Sequence, residues 1–271
     1  MSQHPQLTDS QLSLQNRVAV LTLNRDDVRN ALTGTKLVEE IITVAGWSNN
    51  TPEVSALIIT GAGSAFSAGG NIKEMRDRQG LFSGSVAEIQ QQYRAGIQQL
   101  ALALHRCEVP LIAAVNGPAI GAGMDLACMC DLRVGADSAK LGSTFINLGI
   151  IPGDGGAWFL QRLLGYQQAA ELLLTGRIIT AEEALNLGLL LDVVPRGLLL
   201  DRAGALAAEI AAKPPQAVRF CKRLLKSAGR LELPDFLDQC AGFQGMLHHT
   251  EDHLEAVNAF LDKRFPHFTG R

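Results

Sequence analysis

The chain alternates short apolar segments with longer helix-like segments, and this alternation limits the folds that it can adopt. Residues 17–24, 54–60 and 109–116 are rich in Val, Ile, Leu and Ala, as strands of a buried sheet are. Residues 30–47 and 86–107 carry apolar side chains at helical spacing. Strands that alternate with helices are typical of a largely parallel sheet covered by helices, so we predict an α/β fold.

Two of the strand-like segments are followed by glycine-rich turns, at residues 66–72 and 116–125. A helix-like segment follows each turn, so each turn can present unpaired backbone N–H groups at the positive end of a helix. Two such groups that point at one place stabilise negative charge on a carbonyl oxygen, an arrangement called an oxyanion hole. The pair of turns therefore predicts chemistry at a carbonyl group.

The composition argues against several classes of protein. Of the 271 residues, 47% are hydrophobic and 19% are charged, as in an ordinary globular protein with a buried core. The net charge is −3 and the basic side chains are mostly scattered, so we do not expect nucleic acid as a partner. No apolar run reaches the roughly 18 residues of a membrane span, so we expect no membrane partner either.

The five cysteines bear on metal binding and on location. Their number is odd and their spacing matches no zinc site, so we predict no metal. This usage favours a reducing compartment, and we expect a cytoplasmic protein. Cys128 and Cys130 lie in an apolar context, and we interpret them as buried structural thiols rather than a redox pair.

The character of the chain changes after Pro195. Residues 1–195 carry the strand–helix alternation, and we predict that they form the α/β core. In residues 196–271 nearly every segment is compatible with a helix, with breaks at the prolines near 214 and 234. These helices have more apolar faces than a small bundle can bury, so they are expected to pack on the core or on another subunit.

Two glycine-containing segments also resemble motifs of other enzyme classes. Residues 61–66 begin like a dinucleotide-binding fingerprint, but Phe66 replaces the third glycine, and the acidic residue expected about 20 positions later is missing. Residues 65–69 resemble a weakened nucleophile elbow with Ser67 as the nucleophile, and histidines that could complete a triad occur downstream. A serine hydrolase using Ser67 therefore stays open as an alternative function.

Both turns, together with several other segments, resemble those of the crotonase, or enoyl-CoA hydratase/isomerase, superfamily in order and spacing. The matching segments are residues 23–25, 30–32, 66–75, 115–131, 151–156, 174–176, 181–189 and 259–264. The resemblance implies a spiral core of repeated ββα units and a C-terminal helical region that builds a homotrimer or a dimer of trimers. It also implies an acyl-CoA substrate in fatty-acid or aromatic-acid catabolism, with coenzyme A entering as part of the thioester and no separate cofactor.

The resemblance assigns roles to individual residues of the two turns. By motif position, the backbone amides of Ala68 and Ala122 are expected to form the oxyanion hole, because removing a proton next to a thioester leaves an enolate oxygen that needs two donors. The residues expected at coenzyme A are Val28, Ala68, Gly69, Gly70, Asn71, Ile72 and Lys263. Asn71 stands where the family often has aspartate.

The acidic residues of this chain depart from the family pattern. Hydratases of the family carry one glutamate where Asp125 stands and a second where Phe145 stands, and the two carboxylates together hold a water. We take Asp125 as the first candidate acid or base and Asp154 as the second, because dienoyl-CoA isomerases of the superfamily have an acid one position before Asp154. Without a carboxylate at Phe145, isomerisation is slightly favoured over hydration. Helix capping by either aspartate, and an acyl-CoA-binding protein without catalysis, stay open as alternatives.

Overall fold

Two sheets and the helices around them make up residues 4–271, the part of the chain that the computed structural model describes. The strands are β1 (Ser10–Gln15), β2 (Val18–Leu23), β3 (Ala56–Gly61), β4 (Leu111–Val115), β5 (Ala119–Ile120), β6 (Leu132–Ala136), β7 (Lys140–Gly142), β8 (Ile179–Thr180) and β9 (Asp192–Val194). The helices are α1 (Leu37–Asn50), α2 (Ile72–Asp77), α3 (Val86–Ala95), α4 (Ile97–Arg106), α5 (Ala122–Met129), α6 (Gly156–Leu164), α7 (Tyr166–Thr175), α8 (Ala181–Asn186), α9 (Leu199–Ala211), α10 (Pro215–Ala228), α11 (Leu233–His248) and α12 (Glu251–Leu261). Residues 1–3 of the predicted core lie outside the described residues.

The larger sheet has the strand order β1-β2-β3-β4-β6-β9. Strands β1 and β2 pair antiparallel, and every later pair in this sheet is parallel. The smaller sheet joins β5, β7 and β8. Parallel neighbours need crossover connections, and helices supply several of them here. The predicted α/β fold with a largely parallel sheet is confirmed.

Both faces of the larger sheet are buried, which explains the continuous apolar runs in its central strands. Leu57 and Ile59 of β3 face a core that they share with α1, α4 and α5. Ile58 faces the opposite side, where Ala203 of α9 packs against it. Successive side chains of a strand point to opposite faces, so a strand covered on both sides must be apolar at every position.

The helical region after residue 195 divides between the core and the surface. Leu199 and Ala203 of α9 are buried against the larger sheet. Helices α10 to α12 leave large apolar side chains exposed, among them Leu225, Leu233, Leu254 and Phe260. Such side chains suit burial by another subunit, but the trimer, the dimer of trimers and the domain boundary at residue 195 stay predictions.

Two helices begin or end elsewhere than the sequence pattern predicts. The helix expected over residues 86–107 is interrupted at Gly96, which closes α3 with φ −105° and ψ −108° before α4 begins. The helical spacing of apolar residues starts at residue 30 with Thr33 or Thr35 as the expected N-cap, but α1 begins at Leu37 and its N-cap is Lys36. Arg29 and Asn30 both take left-handed backbone conformations, with φ of 53° and 54°, and these belong to a turn.

The cysteines are all free thiols. Cys128 and Cys130 are buried as predicted, and burial raises the pKa of both thiols to about 12, so both stay protonated. Among residues 4–271, no cluster of His, Cys, Asp and Glu is arranged to hold a metal ion. Within the same residues, none of the helices combines the length and apolar character that a membrane span needs. The cytoplasmic location stays a prediction.

Candidate active site

The two glycine turns lie against each other, as the oxyanion-hole hypothesis requires. Ser67 and Ala119 form a parallel bridge, and the Ile120 amide donates to the Ser67 carbonyl oxygen at 3.0 Å. The approach depends on a glycine, because a Cβ at Gly123 would overlap the backbone of Ser67. The sequence therefore brings the two helix N-termini to one place by leaving out side chains between them.

The first predicted oxyanion donor is not available. The Ala68 amide donates a hydrogen bond of 2.9 Å to the carbonyl oxygen of Arg29, which lies in the left-handed turn before Asn30. An N–H group that already donates to an acceptor within the protein is not free to donate to an enolate oxygen. The prediction that the Ala68 amide forms the oxyanion hole is therefore wrong.

A neighbouring amide is free instead. The amides on either side of Gly70 already have acceptors. The Gly69 amide donates to the Ser67 hydroxyl at 3.2 Å, and the Asn71 amide donates to the Thr33 hydroxyl at 2.7 Å. Among the hydrogen bonds of residues 4–271, the amide of Gly70 has no acceptor, and neither has that of Ala122 at the start of α5. A Cβ at Gly69 would lie 2.9 Å from the Ala122 nitrogen, so the two segments are in contact. Gly70 and Ala122 are thus the candidate donor pair.

Asn30 holds the first turn in shape, a role that sequence reasoning misses. Its side chain is fully buried, donates to the carbonyl oxygens of Ala62 (3.0 Å) and Ala65 (2.9 Å), and accepts from the Arg25 amide (2.8 Å). Its own carbonyl oxygen accepts from the Ser67 hydroxyl at 2.7 Å. The sequence signal was an asparagine within one of the matching segments, but three of its four partners are 32 to 37 residues away.

Replacing Asn30 with alanine is expected to lower the free energy of unfolding by about 2–4 kcal/mol, since the Ala62 carbonyl oxygen and the Arg25 amide lose this partner and the Ala65 carbonyl oxygen keeps only Asn116. Chemical denaturation monitored by circular dichroism measures the change. Asn186→Ala, at an exposed position of α8, is the control and is expected to stay within about 0.5 kcal/mol of the wild type. Equal stability of the two variants would remove Asn30 from the framework of the site.

The structure brings the two candidate aspartates together. Asp125 of α5 is 1% exposed and Asp154, two residues before α6, is 3% exposed. Burial, the negative charge of Asp154 and a side-chain hydrogen bond with Asp154 raise the pKa of Asp125 well above its ordinary value. Among the described residues, no donor reaches Oδ2 of Asp125 or Oδ1 of Asp154. A single proton shared by the two carboxyl groups satisfies this geometry.

Capping does not account for either aspartate. The N-cap residues are Gly121 for α5 and Gly155 for α6, and neither helix receives a side-chain capping hydrogen bond. Gly156 leaves room for the pair, because a Cβ there would overlap the Asp125 carboxyl group. Both carboxyl groups are therefore buried without a helix-capping role, which is typical of groups kept for proton transfer.

Phe145 lies beside the second turn. Its ring is 3.7 Å from the position that a Cβ of Gly121 would take, directly before the free amide of Ala122. The space next to the candidate donor is thus filled by an apolar ring. A second carboxylate that could hold a water is absent from this position.

Ser67 is not placed as a nucleophile. Its side chain is fully buried, and its hydroxyl donates to Asn30 and accepts from the Gly69 amide. Among the described residues, no histidine is a hydrogen-bond partner of Ser67. The hydroxyl is part of the turn, and the serine-hydrolase hypothesis has no support in the structure.

The residues predicted at coenzyme A are only partly brought together. Asn71 caps α2 by accepting from the Lys73 amide at 3.1 Å, and Ile72 beside it is 61% exposed. Val28 is half-buried in the turn that holds Ala68. Lys263 follows α12, and no contact of its side chain with the glycine turns is recorded among the described residues. Its role at coenzyme A stays a prediction, as do those of Val28 and residues 68–72.

A cavity of about 1120 Å³ opens next to the aspartate pair. Gly153, directly before Asp154, lines it, and the Gly153 carbonyl oxygen accepts from the Gln98 side chain at 2.8 Å. Tyr93 packs against Gly153, and burial together with the charge of Asp154 raises the pKa of its hydroxyl. Ile72, two residues after Gly70, lines the same cavity, so the cavity extends from the end of the first glycine turn to the residue before Asp154.

Comparison with known proteins identifies the class to which this fold and site belong. The family model described as enoyl-CoA hydratase/isomerase matches residues 13–271. The chain belongs to this family and is an acyl-CoA enzyme of the hydratase/isomerase type.

Relatives with similar sequences are hydratases by name. The chain is 37% identical over 260 residues to the 2,3-dehydroadipyl-CoA hydratase of Escherichia coli K12, covering 96% of this chain and 98% of that protein. It is 35% identical over 254 residues to the short-chain-enoyl-CoA hydratase of Clostridium acetobutylicum, covering 93% of this chain and 94% of that protein.

Solved structures agree with the fold. The enoyl-CoA hydratase of Bacillus anthracis superposes with a TM-score of 0.90 at 34% identity, covering 97% of this chain and 100% of that one. An enoyl-CoA hydratase structure from Streptomyces coelicolor superposes with a TM-score of 0.91 at 30% identity, covering 100% of this chain and 98% of that one. The predicted crotonase-like core is confirmed.

Proposed function

We propose that this enzyme moves the double bond of an enoyl-CoA thioester, using Asp125 and Asp154 as a pair that carries one proton. The observation that carries the proposal is the contact between these two buried carboxyl groups beside two unpartnered backbone amides. One group can accept a proton while the other donates one. Migration of a double bond needs both events, because a proton leaves one carbon and a proton is delivered to another.

The amides of Gly70 and Ala122 act on the thioester carbonyl oxygen. When a C–H bond breaks at the α-carbon of a 3-enoyl thioester or at the γ-carbon of a 2-enoyl thioester, its electron pair delocalises onto this oxygen as a dienolate. Two backbone donors at fixed positions stabilise that charge without rearrangement, and a donor of this kind contributes about 3–4 kcal/mol to the transition state. The apolar ring of Phe145 next to Ala122 strengthens the interaction because it helps to exclude water.

The aspartates then move the proton between carbons. The ionised carboxylate of Asp154 removes a proton from one carbon, and the electron pair shifts the double bond by one position through the dienolate. Asp125, which holds the shared proton because its pKa is raised, delivers it to the carbon at the other end. The hydrogen bond between the two groups lets the proton that Asp154 has gained return to Asp125, which restores the starting state.

Hydration is the alternative reaction of the same site. It requires a water that is held and activated against the β-carbon, and two carboxylates flanking that water are the arrangement of the family's hydratases. Here Phe145 occupies one of those positions, and the two aspartates face each other rather than a water held by glutamates. This supports isomerisation as the faster reaction of the enzyme.

Separate assays of the two reactions test the proposal. The enzyme is incubated with 3-enoyl-CoA and 2-enoyl-CoA thioesters of six carbons, and the products are separated by chromatography. We expect double-bond migration to exceed hydration, and a hydration rate above the migration rate would overturn the assignment. Exchange of the α-hydrogen of a saturated acyl-CoA in deuterium oxide separates an enzyme from a protein that only binds, because binding alone leaves the label unchanged.

Installing a carboxylate at Phe145 is expected to change the balance of the two reactions. The Phe145→Glu substitution places an acid beside the Ala122 amide, where it can hold a water, and general acid–base help of this kind is worth about 10²–10⁴-fold. We expect the ratio of hydration to migration to rise at least tenfold, measured with the same chromatographic assay. Phe145→Gln has a similar size without the charge, and an equal rise in that variant would show that the ring blocks water only by its volume.

A further inference from the structure

The cavity beside the aspartate pair has an apolar part and a cationic part. Tyr93 and Ile150 line it near Gly153, next to the reacting groups. Arg78 and Arg94 also contribute to its wall. Among the described residues that line this cavity, none is acidic, so no lining side chain compensates the positive charge of these arginines.

The arginines differ in their partners. Arg76, which also lines the cavity, is held by Asp77 of the same helix at 2.7 Å. Among the described residues, the guanidinium groups of Arg78 and Arg94 have no carboxylate partner and no hydrogen-bond acceptor. Two unpaired guanidinium groups facing one cavity are suited to an anion, because their planar arrays of N–H donors match the oxygens of a carboxylate.

The backbone at Arg78 adds a second observation. Arg78 closes α2 in the left-handed conformation, with φ of 49°, and its amide donates to the carbonyl oxygens of Glu74 and Met75. Glycine or asparagine is the residue that usually takes this position, since a larger side chain costs about 1 kcal/mol there. The arginine is therefore placed at the cavity in a conformation that local stability does not favour.

The position of the cavity indicates which part of a substrate meets the arginines. The thioester carbonyl lies at the Gly70 and Ala122 amides and the reacting carbons lie at the aspartates, if the proposed function holds. The acyl chain then continues past Gly153 along the apolar wall, and its far end reaches the arginines. Phosphates of coenzyme A carry the same kind of charge, and the binding test below distinguishes them from a terminal carboxylate.

We propose that the preferred acyl group ends in a carboxylate, so that the substrate is the coenzyme A thioester of an unsaturated dicarboxylic acid. Arg78 and Arg94 bind the terminal carboxylate, and the apolar wall holds the methylene groups between it and the double bond. The proposal deepens the proposed function, because it names the substrate class of the same site.

Binding of two saturated thioesters tests the proposal without turnover. Isothermal titration measures Kd for hexanoyl-CoA and for adipoyl-CoA, which share coenzyme A and six carbons and differ in the terminal carboxylate. The wild type is expected to bind adipoyl-CoA at least tenfold more tightly, since a charge-assisted contact is worth about ten- to a hundredfold in affinity. No preference in the wild type would overturn the proposal.

The variants are chosen so that folding and charge are separated. Arg78→Gly removes the guanidinium and suits the left-handed backbone, so it is expected to melt at or above the wild-type temperature. Arg94→Gln removes the other charge from α3. In each variant the affinity for adipoyl-CoA is expected to fall about tenfold or more relative to hexanoyl-CoA. Lys73→Gln, which removes an exposed charge of α2 that does not line the cavity, is the control and keeps the preference.

The remaining outcomes are also decisive. An equal loss of affinity for both thioesters in Arg78→Gly and Arg94→Gln would mean that the arginines bind phosphates of coenzyme A, and would overturn the proposal. Unchanged affinities would mean that they are solvated surface charges, with the same consequence. Failure of the proposed function gives a different result, namely a retained preference in binding without any double-bond migration.

Discussion

Replacing Asp125 with asparagine is expected to reduce double-bond migration by about 10²–10⁴-fold while leaving acyl-CoA binding intact. Asparagine has the same shape, and its amide group can still donate a hydrogen bond to Asp154, so the pocket keeps its form. It cannot deliver a proton to carbon. Steady-state kinetics measure the loss in kcat, and isothermal titration with hexanoyl-CoA measures Kd separately.

The same substitution has a predictable effect on stability. An aspartate in the unfolded chain has a pKa of about 3.9, whereas burial and the charge of Asp154 raise the pKa of Asp125 in the folded protein. The folded state therefore binds the proton more tightly, and wild-type stability falls as the pH rises from the unfolded pKa through the folded one, by up to about 1.4 kcal/mol per pH unit. Asp125→Asn loses this dependence, so it is expected to be more stable than the wild type at neutral pH.

Denaturation at several pH values between 4 and 8 measures this difference. Asp137→Asn, at an exposed position with no side-chain partner among the described residues, is the matched control and is expected to keep wild-type activity and the wild-type pH profile. Full activity in Asp125→Asn would remove Asp125 from the mechanism. A variant that is inactive but shows the wild-type pH profile would contradict the shared proton.

Asp154→Asn separates a two-acid mechanism from a one-acid mechanism. If Asp154 is the base, this variant loses activity as Asp125→Asn does, and the double variant is little worse than either single one, because the pair acts as a unit. An unchanged rate would leave Asp125 alone in the reaction. Loss of the Asp154 charge also lowers the pKa of Asp125, so the pH profile of stability is expected to flatten in part.

The fold was predictable because its signals are local. Buried strands such as β3 and β4 are apolar at every position, and glycines mark where the chain turns into the next helix. Strand β1 was not predicted, because it lies at the sheet edge and alternates buried and exposed side chains within a polar segment. The break at Gly96 was missed because a helix tolerates an isolated glycine, so only the surrounding packing decides whether the helix continues.

The sequence predicted which turns form the site, but it did not predict which backbone amide of the first turn is free to donate. Sequence indicated that residues 66–72 supply a backbone donor, and the choice of Ala68 failed because its amide is taken by Arg29, some 40 residues earlier in the chain. Which of several adjacent amides stays free depends on such partners, and no local pattern encodes them. The contact of Asp125 with Asp154 likewise joins two helix N-termini through packing of α5 on α6, which sequence spacing does not reveal.

Replacing Gly69 with alanine is expected to disrupt the oxyanion hole. Gly69 has φ of 78°, and a Cβ there would overlap the Ile120 carbonyl oxygen and lie 2.9 Å from the Ala122 nitrogen. The two turns must then separate, so the amides of Gly70 and Ala122 can no longer point at one oxygen. Loss of one donor costs about 10²–10³-fold in kcat. Steady-state kinetics measure this loss, and denaturation measures the accompanying loss of stability.

Gly188→Ala distinguishes this effect from backbone strain alone. Gly188 has the same φ of 78°, but no atom lies within 4 Å of the position that its Cβ would take. Its replacement therefore carries the cost of a left-handed alanine, about 1–2 kcal/mol, without moving either turn. We expect Gly188→Ala to be less stable than the wild type and fully active, and Gly69→Ala to be less stable and nearly inactive. Similar activity in the two variants would mean that the approach of the turns at Gly69 does not set the donor geometry, because strain at φ 78° is common to both.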